Sequence, residues 1–513
     1  MVTVTQSQFD GGIADDVRTH NINQCADSTN FDVFSNPYKL IHLRDMVAEN
    51  DGSQTIADTE ISDVGQTVIS GTQYMVAFGE NYPTDNKPAA FIRASGVLNG
   101  SWSPQAVGVG GYSYVPNSYV QYNGISYILG TNFSSPLVIN LQKYIGAGTM
   151  TAIDTVSYTL PTGVISLPNV PRPFVHPTDN RMYIAVGNIL AVWDGVSGSF
   201  TDVTGLLPSG FVATGITNYG DNLAIAMSPV LGNADSIICI WDRDYVNHAT
   251  YLTSVIKCGQ GKIDAFGNLD GILAMAMSPL NYLLDTTVYL SLKTYSGGQV
   301  EEVVGVTGLS TYSNNSIVST IRDNKLYIVR YGDTALYCFG KNKSGRYILT
   351  HDYLVRNGST STADAVSVVY ALNFVGSCLY VGYTGLDSTY RLMATDFDGS
   401  ISYINPAVYT TTINPSMPIP DRGDMKRLVS VRVLFEGATT GTCTLEYATD
   451  GSSTFTTIDA HDMSDLKNVI EGSAESTGIA FKPSRDFQFR ITSTWGAKII
   501  GITYKYEKLP ELT

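Results

Sequence analysis

One pattern of apolar and polar positions recurs along most of the chain. A turn of Asn, Asp or Gly leads into a short apolar strand that ends on a small residue. It reads "NGISYILGT" from Asn123, "DNRMYIAVG" from Asp179, "GDNLAIAMSP" from Gly220, "DGILAMAMSP" from Asp270, "DNKLYIVRYG" from Asp323 and "GSCLYVGYTG" from Gly376. A weaker copy, "ISGTQYMVAFGE", begins at Ile69, and the spacing is irregular, roughly 40 to 57 residues by subtraction. A second strand follows within each unit, as in "ILAVWDGVSGSF", "SIICIWDRD", "TALYCFGKNKSGRY" and "TYRLMATDFDGSISYI". Strand, polar turn and strand make a hairpin. About four short strands per unit of roughly 50 residues is the make-up of one propeller blade. Such a unit cannot cover both its faces alone and must stack on its neighbours. The pattern therefore predicts an all-β chain with a β-propeller of six or seven irregular blades over residues 61–404.

The pattern changes after Ile404. Residues 405–424 carry four prolines, which suit extended chain and not a central strand, and are predicted to be a linker. Beyond them "KRLVSVRVLFEG", "TCTLEYATDGSSTFTTID", "FQFRITSTWG" and "KIIGITYKYEKL" alternate at period two. That alternation predicts an antiparallel β-sandwich over 425–513 with one wet face on each sheet. Residues 1–60 are assigned to an extended arm and lead-in.

Composition supports an all-β reading. Charged residues make up 15% of the 513 positions, against a usual figure of about 25%, and 32 Tyr with many Ser, Thr and Asn take their place. That mixture favours strands and turns over long surface helices. The net charge of −15 argues against a duplex-gripping protein, which needs a basic stripe to displace counterions. No run of about 18 apolar residues predicts a membrane span, and the first residues lack the pattern of a secretory signal. The six cysteines, Cys25, Cys239, Cys258, Cys338, Cys378 and Cys443, include no CxxC and are expected to be reduced, mostly buried thiols of a protein made in a cytoplasm.

Candidate chemistry is sparse. "SQFDGGIADDVRTHN", Ser7 to Asn21, has neither the Lys-Ser/Thr of a P-loop nor GxGxxG. Its carboxylates Asp10, Asp15 and Asp16 have no ligand-spaced partner. An arm that packs on a neighbour fits better, with Phe9 and Ile13 as anchors and Gly11 and Gly12 allowing close approach; Asp15, Asp16 and Arg18 complete the expected contact set. "DFDGS" at Asp396 and "ATDGSS" at Ala448 read as hairpin turns, since neither continues as a calcium loop. No histidine has HExxH spacing or adjoins a GxSxG elbow. Asp179, Asp221, Asp270 and Asp323 sit where turns favour Asp, which makes them weak candidates for a propeller hydrolase. Trp193-Asp194 and Trp241-Asp242 are read as two equivalent strand ends, because the Gly-His of WD repeats is absent upstream. No catalytic, metal or cofactor residue is assigned.

A family resemblance adds to this. "QFDGGIADDVRTHNINQCADSTNFDVFSNPYKLIHLRD" (Gln8 to Asp45) resembles the opening of tailed-bacteriophage structural proteins, where a "GGI-x-D" start and an "NFD…P…L" element introduce a large propeller. "KRLVSVRVLFEG…LEYATDGSS…FQFRITSTWGAKIIGITYKYEKL" (Lys426 to Leu509) is similar to the small sandwich that follows such propellers. The resemblance implies a virion tail component of the tubular or nozzle kind, assembled in the host cytoplasm. Such proteins form a ring, usually a hexamer, with other tail or portal-adaptor proteins as partners, and DNA passes through the lumen without sequence-specific binding. It implies no enzymatic residue. The competing expectation is a receptor-binding adhesin that grips a host-surface glycan, with Tyr112, Tyr114, Tyr119 and Tyr122 as a candidate aromatic cluster.

Overall fold

In the computed structural model the described residues are 1–6, short runs between 27 and 49, and, from 59 to 510, the strands with most of the tight turns. Longer connections such as 50–58, 160–169, 279–287, 356–365 and 397–407 lie outside the described residues. Every regular element described is a strand. The chain divides into two compact units, one of residues 46–334 and 355–398, the other of residues 1–45, 335–354 and 399–513.

The larger unit is a succession of antiparallel sheets taken up in chain order. The first holds Thr59–Ile69, Thr72–Asn81, Lys87–Ala94 and Ser103–Val107. The second runs from Ser113–Tyr114 to Met150–Tyr158, the third from Phe174–Val175 to Thr201–Val203, and the fourth from Phe211–Tyr219 to Ser254–Gln260. The fifth runs from Lys262–Leu269 to Val300–Leu309, and the hairpin Ile317–Arg322 with Lys325–Arg330 comes sixth. The seventh is made of Val366–Val375, Cys378–Gly385 and Tyr390–Asp396, and its outer strand is Val47–Ala48 from the far end of the chain. Each sheet packs face to face on the next, and the strands of the last pack against Thr59–Ile69 of the first. The succession closes on itself, as in a β-propeller.

Local sequence explains the hairpins. Two-residue turns join the first strands at Ser70-Gly71, Asn123-Gly124, Gly220-Asp221, Asp270-Gly271, Asp323-Asn324 and Gly376-Ser377. Ser70 and Gly71, for example, have φ of 51° and 81°, and Asp323 and Asn324 have 50° and 58°. Positive φ at both central positions is the turn whose twist matches that of the flanking strands. The strands that follow these turns, such as Asn222–Pro229 and Ile272–Ser278, are buried along almost their whole length. They pack between neighbouring sheets: Tyr183, Leu190, Ile225 and Trp241 share one such core, and Phe78, Tyr114, Ile128 and Tyr144 another. Packing on both faces explains why these runs are uniformly apolar and do not alternate.

The smaller unit keeps the period-two pattern. One sheet orders Val2–Gln6, Lys498–Lys508, Lys426–Glu436 and Val469–Ser473. The other orders Asp27–Ser28, Val408–Ile413, Phe487–Thr494, Thr442–Thr449 and Thr456–Asp462. Phe489 of the second meets Tyr504 of the first with ring centroids 5.5 Å apart. The hairpin Ala335–Lys341 with Tyr347–Leu354 also belongs to this unit. Two findings concern the chain's ends and the proline-rich stretch. Residues 2–6 are a strand of the C-terminal sheet, and 408–413, inside the stretch expected to be a linker, pair with Phe487–Thr494.

Candidate functional site

The inner strands of the larger unit surround a cavity of about 610 Å³. Its wall draws on the second to seventh sheets, from Val115 and Arg172 round to Phe266, Thr320 and Tyr370. This is the hub of the ring.

Two polar residues dominate it. Asn117 lies in a turn with φ of 54°, in the left-handed region that asparagine tolerates better than most side chains. Its backbone N–H donates to the carbonyl of Ser62 at 2.8 Å, and its side-chain amide donates to the carbonyl of Ser319 at 3.1 Å. Arg172 spends its guanidinium on the protein itself. Nε donates to the Asn117 carbonyl at 3.2 Å, and one terminal nitrogen to Asn373 Oδ1 at 3.1 Å. The other terminal nitrogen donates to the Leu372 carbonyl at 3.1 Å, to Asn117 Oδ1 and to Asp63 at 3.3 Å. Asn373 in turn donates to the Val64 carbonyl at 2.8 Å. The first, second, third, sixth and seventh sheets are thus tied across the axis by two side chains and their partners.

Asp63 beneath Arg172 is fully buried. Burial raises its pKa, while the Arg172 charge and the backbone N–H groups of Tyr119 and Val64, at 2.7 and 2.8 Å, oppose the rise. Beside it the Tyr119 hydroxyl donates to the Gln66 carbonyl at 2.6 Å, and burial pushes this phenol up to about 12. Gly65 makes the arrangement possible, since a Cβ there would come within 2.0 Å of the Tyr119 ring. Farther round the wall, Asp264 is held by Lys262 Nζ at 2.9 Å and by the Ser278 hydroxyl. Asp63, Arg172 and Asp264 thus each have polar partners within the protein.

A second buried network lies where the seventh sheet meets the first. Arg93 pairs with Glu49, donates to the Tyr380 hydroxyl at 2.9 Å and stacks over Trp102 at 4.8 Å. Glu49 follows directly on the outer strand Val47–Ala48, and its backbone N–H donates to the Leu392 carbonyl at 2.8 Å.

The candidates singled out in the sequence fall elsewhere. Phe9, Gly11, Gly12, Ile13, Asp15, Asp16 and Arg18 lie outside the described residues, as do Asp10 and Cys25. Asp221, Asp270 and Asp323 occupy the first hairpin turns of their sheets, and Asp179 accepts from the Tyr183 hydroxyl and from Arg243, both at 2.6 Å. None of the four contributes to the cavity wall. Tyr114, Tyr119 and Tyr122 are buried between sheets, Tyr114 and Tyr119 against Phe78 and Tyr122 against Trp193, so they are not loop-tip aromatics. Trp193 and Trp241 do end equivalent third strands, and their indoles donate to Ser197 and His248 carbonyls at 2.8 and 2.9 Å. Cys239, Cys258, Cys338 and Cys443 are buried and in no disulfide, and Cys378 is partly buried; burial pushes Cys239, Cys258 and Cys443 up to about 12. Among the described residues no His, Cys, Asp and Glu cluster is arranged to hold a metal ion, and no helix is long and apolar enough to cross a membrane.

No family model and no curated protein matches the chain. Solved structures similar in architecture include the WD40 β-propeller domain of Doa1, at 12% identity and a TM-score of 0.38 over 66% of this chain and 93% of that one. The WD40 domain of Toxoplasma gondii coronin is 11% identical with a TM-score of 0.44, over 77% of this chain and 96% of that one. YCF48 bound to D1 peptide is 11% identical with a TM-score of 0.37, over 66% and 94%. The propeller reading rests on the order and closure of the sheets themselves.

Proposed function

We propose that the chain is a non-enzymatic structural component of a bacteriophage virion tail. Copies of it form a nozzle-type or tubular ring, a hexamer by the family resemblance, through which the genome leaves. In this reading the sheets of the larger unit are seven propeller blades, and the two C-terminal sheets are a sandwich. Its partners are further copies of itself and neighbouring tail or portal-adaptor proteins.

The supporting observation is the latch of Asn117 and Arg172 across the hub. These side chains spend their hydrogen bonds on other blades and so stiffen the wall element. The latch also bears on where DNA would pass. With Asn117 and Arg172 lying across the hub, and only about 610 Å³ left beside them, this reading puts the passage between copies and not along a blade axis. The net charge of −15, with few lysines, suits a lumen that repels phosphate and lets DNA slide.

Assembly is tested by substitution and not by truncation, because Val2–Gln6 are a strand of the C-terminal sheet and removing them would damage the fold. The triple variant Phe9→Ala, Ile13→Ala, Arg18→Ala should fold as wild type yet fail to enter virions. Normal incorporation of that variant removes the contact role of the arm. Electron microscopy of the purified full chain should show closed rings once the neighbouring tail proteins are added, and persistent monomers would defeat the ring.

A further inference from the structure

The hub cavity is larger than the latch requires. At about 610 Å³ it falls inside the range of about 300–1,000 Å³ typical of small-molecule sites. Its chemistry narrows the class of occupant.

An anionic ligand would need a cationic fork, and the guanidinium of Arg172 is already spent on Asp63, Asn117, Leu372 and Asn373. A cationic ligand would need a free carboxylate, and Asp264 is held by Lys262 and Ser278. A charged occupant would therefore lose hydration without an uncommitted counter-charge. A wholly apolar occupant fits no better. Thr217 and Thr320, each less than one-tenth exposed, line the wall together with Ser319, and their hydroxyls would be stripped of water and left facing hydrocarbon. A hydroxyl both donates and accepts, so it matches another hydroxyl in either direction. Phe266 and Phe374 also line the wall, Phe374 with Arg322 over one face of its ring at 5.0 Å, and the ring surface left to the cavity can cover C–H faces. Hydroxyls beside aromatic rings, with no net charge to offer, match a compact ligand that has hydroxyl edges and apolar faces.

We propose that the hub cavity binds a neutral free saccharide of one or two rings. This inference is independent of the assembly reading. A ring that assembles but takes no sugar defeats this inference alone, and a sugar-binding chain that never assembles defeats the other alone.

Isothermal titration of the full chain with glucose, maltose and trehalose, beside glucosamine and glucuronate, decides the matter. At least one neutral sugar should saturate, and it should bind about tenfold or more tightly than either charged sugar. Thr217→Val with Thr320→Val keeps side-chain volume and removes both hydroxyls. It should weaken that binding about tenfold while the thermal midpoint without sugar stays close to wild type. Should the double variant fail to fold, Thr320→Val alone carries the comparison. No saturation by any of the three neutral sugars overturns the inference, as does equal binding of a charged one or unchanged affinity in the variant that folds.

Discussion

Across the hub, the side-chain amide of Asn117 donates to the backbone carbonyl of Ser319 at 3.1 Å, joining the second sheet to the sixth over 202 residues of sequence. The same amide oxygen accepts from Arg172 and from the backbone N–H of Leu372 at 3.4 Å. One residue therefore couples strands whose loop-closure entropy has already been spent by the rest of the ring.

Asn117→Gly isolates that role, because glycine accepts the φ of 54° and removes only the side chain. Buried partners left unsatisfied cost about 1–3 kcal/mol each. The urea midpoint should fall by the equivalent of about 2 kcal/mol or more, with the slope of the transition unchanged. An unmoved midpoint would show that the latch is not energetically coupled to the fold.

The pair Glu49 and Arg93 closes the ring. Both side chains are almost wholly buried. Glu49→Gln strands the guanidinium without a counter-charge, which costs about 3–5 kcal/mol for a buried pair. Glu49→Gln with Arg93→Met should recover a good part of that loss, because two neutral side chains need no compensation. Chemical denaturation of both variants measures the difference; equal losses would argue against charge stranding.

Stability should fall as pH rises towards neutrality. Glu60 opposes Glu80 directly in the first sheet. Burial, and then the Glu80 charge, raise Glu60 from 4.5 to about 7, with a hydrogen bond from Tyr370 acting the other way. The folded state thus binds a proton that the unfolded chain has released, so this contribution is complete below 4.5 and lost as pH rises through about 7. A shift of this size is on the order of 2–3 kcal/mol after discounting for partial exposure. Thermal midpoints across that window should decline in the wild type and flatten in Glu60→Gln.

Among the described residues, Asp323-Asn324 is the hairpin turn in which two non-glycine residues both adopt positive φ, 50° and 58°. The left-handed region costs ordinary residues about 1–2 kcal/mol, and asparagine less. Asn324→Gly should therefore raise stability by about 0.5 kcal/mol, a small upward shift in the thermal midpoint. A lower midpoint would mean that the Asn324 side chain makes a stabilising interaction in the turn.

Much of this fold was legible in the pattern of residues. Turn dipeptides such as Asn123-Gly124 and Asp270-Gly271, each followed by an apolar run, marked the first hairpins because φ preference and strand burial act over a few neighbouring residues. The period-two stretches after Lys426 marked sheets with one wet face, as Phe487–Thr494 and Lys498–Lys508 now illustrate. The hub could not be read in this way. Arg172 sits among prolines in "NVPRPF" and Asn117 in "VPNS", where each resembles an ordinary turn residue. Their partners Asp63, Ser319 and Asn373 are between 109 and 202 positions away, and no periodicity connects them. The same holds for Val47–Ala48, a two-residue strand too short to leave a signal, and for Val2–Gln6 pairing with Lys498–Lys508. Local preference determined which segments became strands and turns. Ring closure, the compensated hub charges and the cavity beside them were decided only when distant segments packed, because desolvation and hydrogen bonding act between neighbours in space.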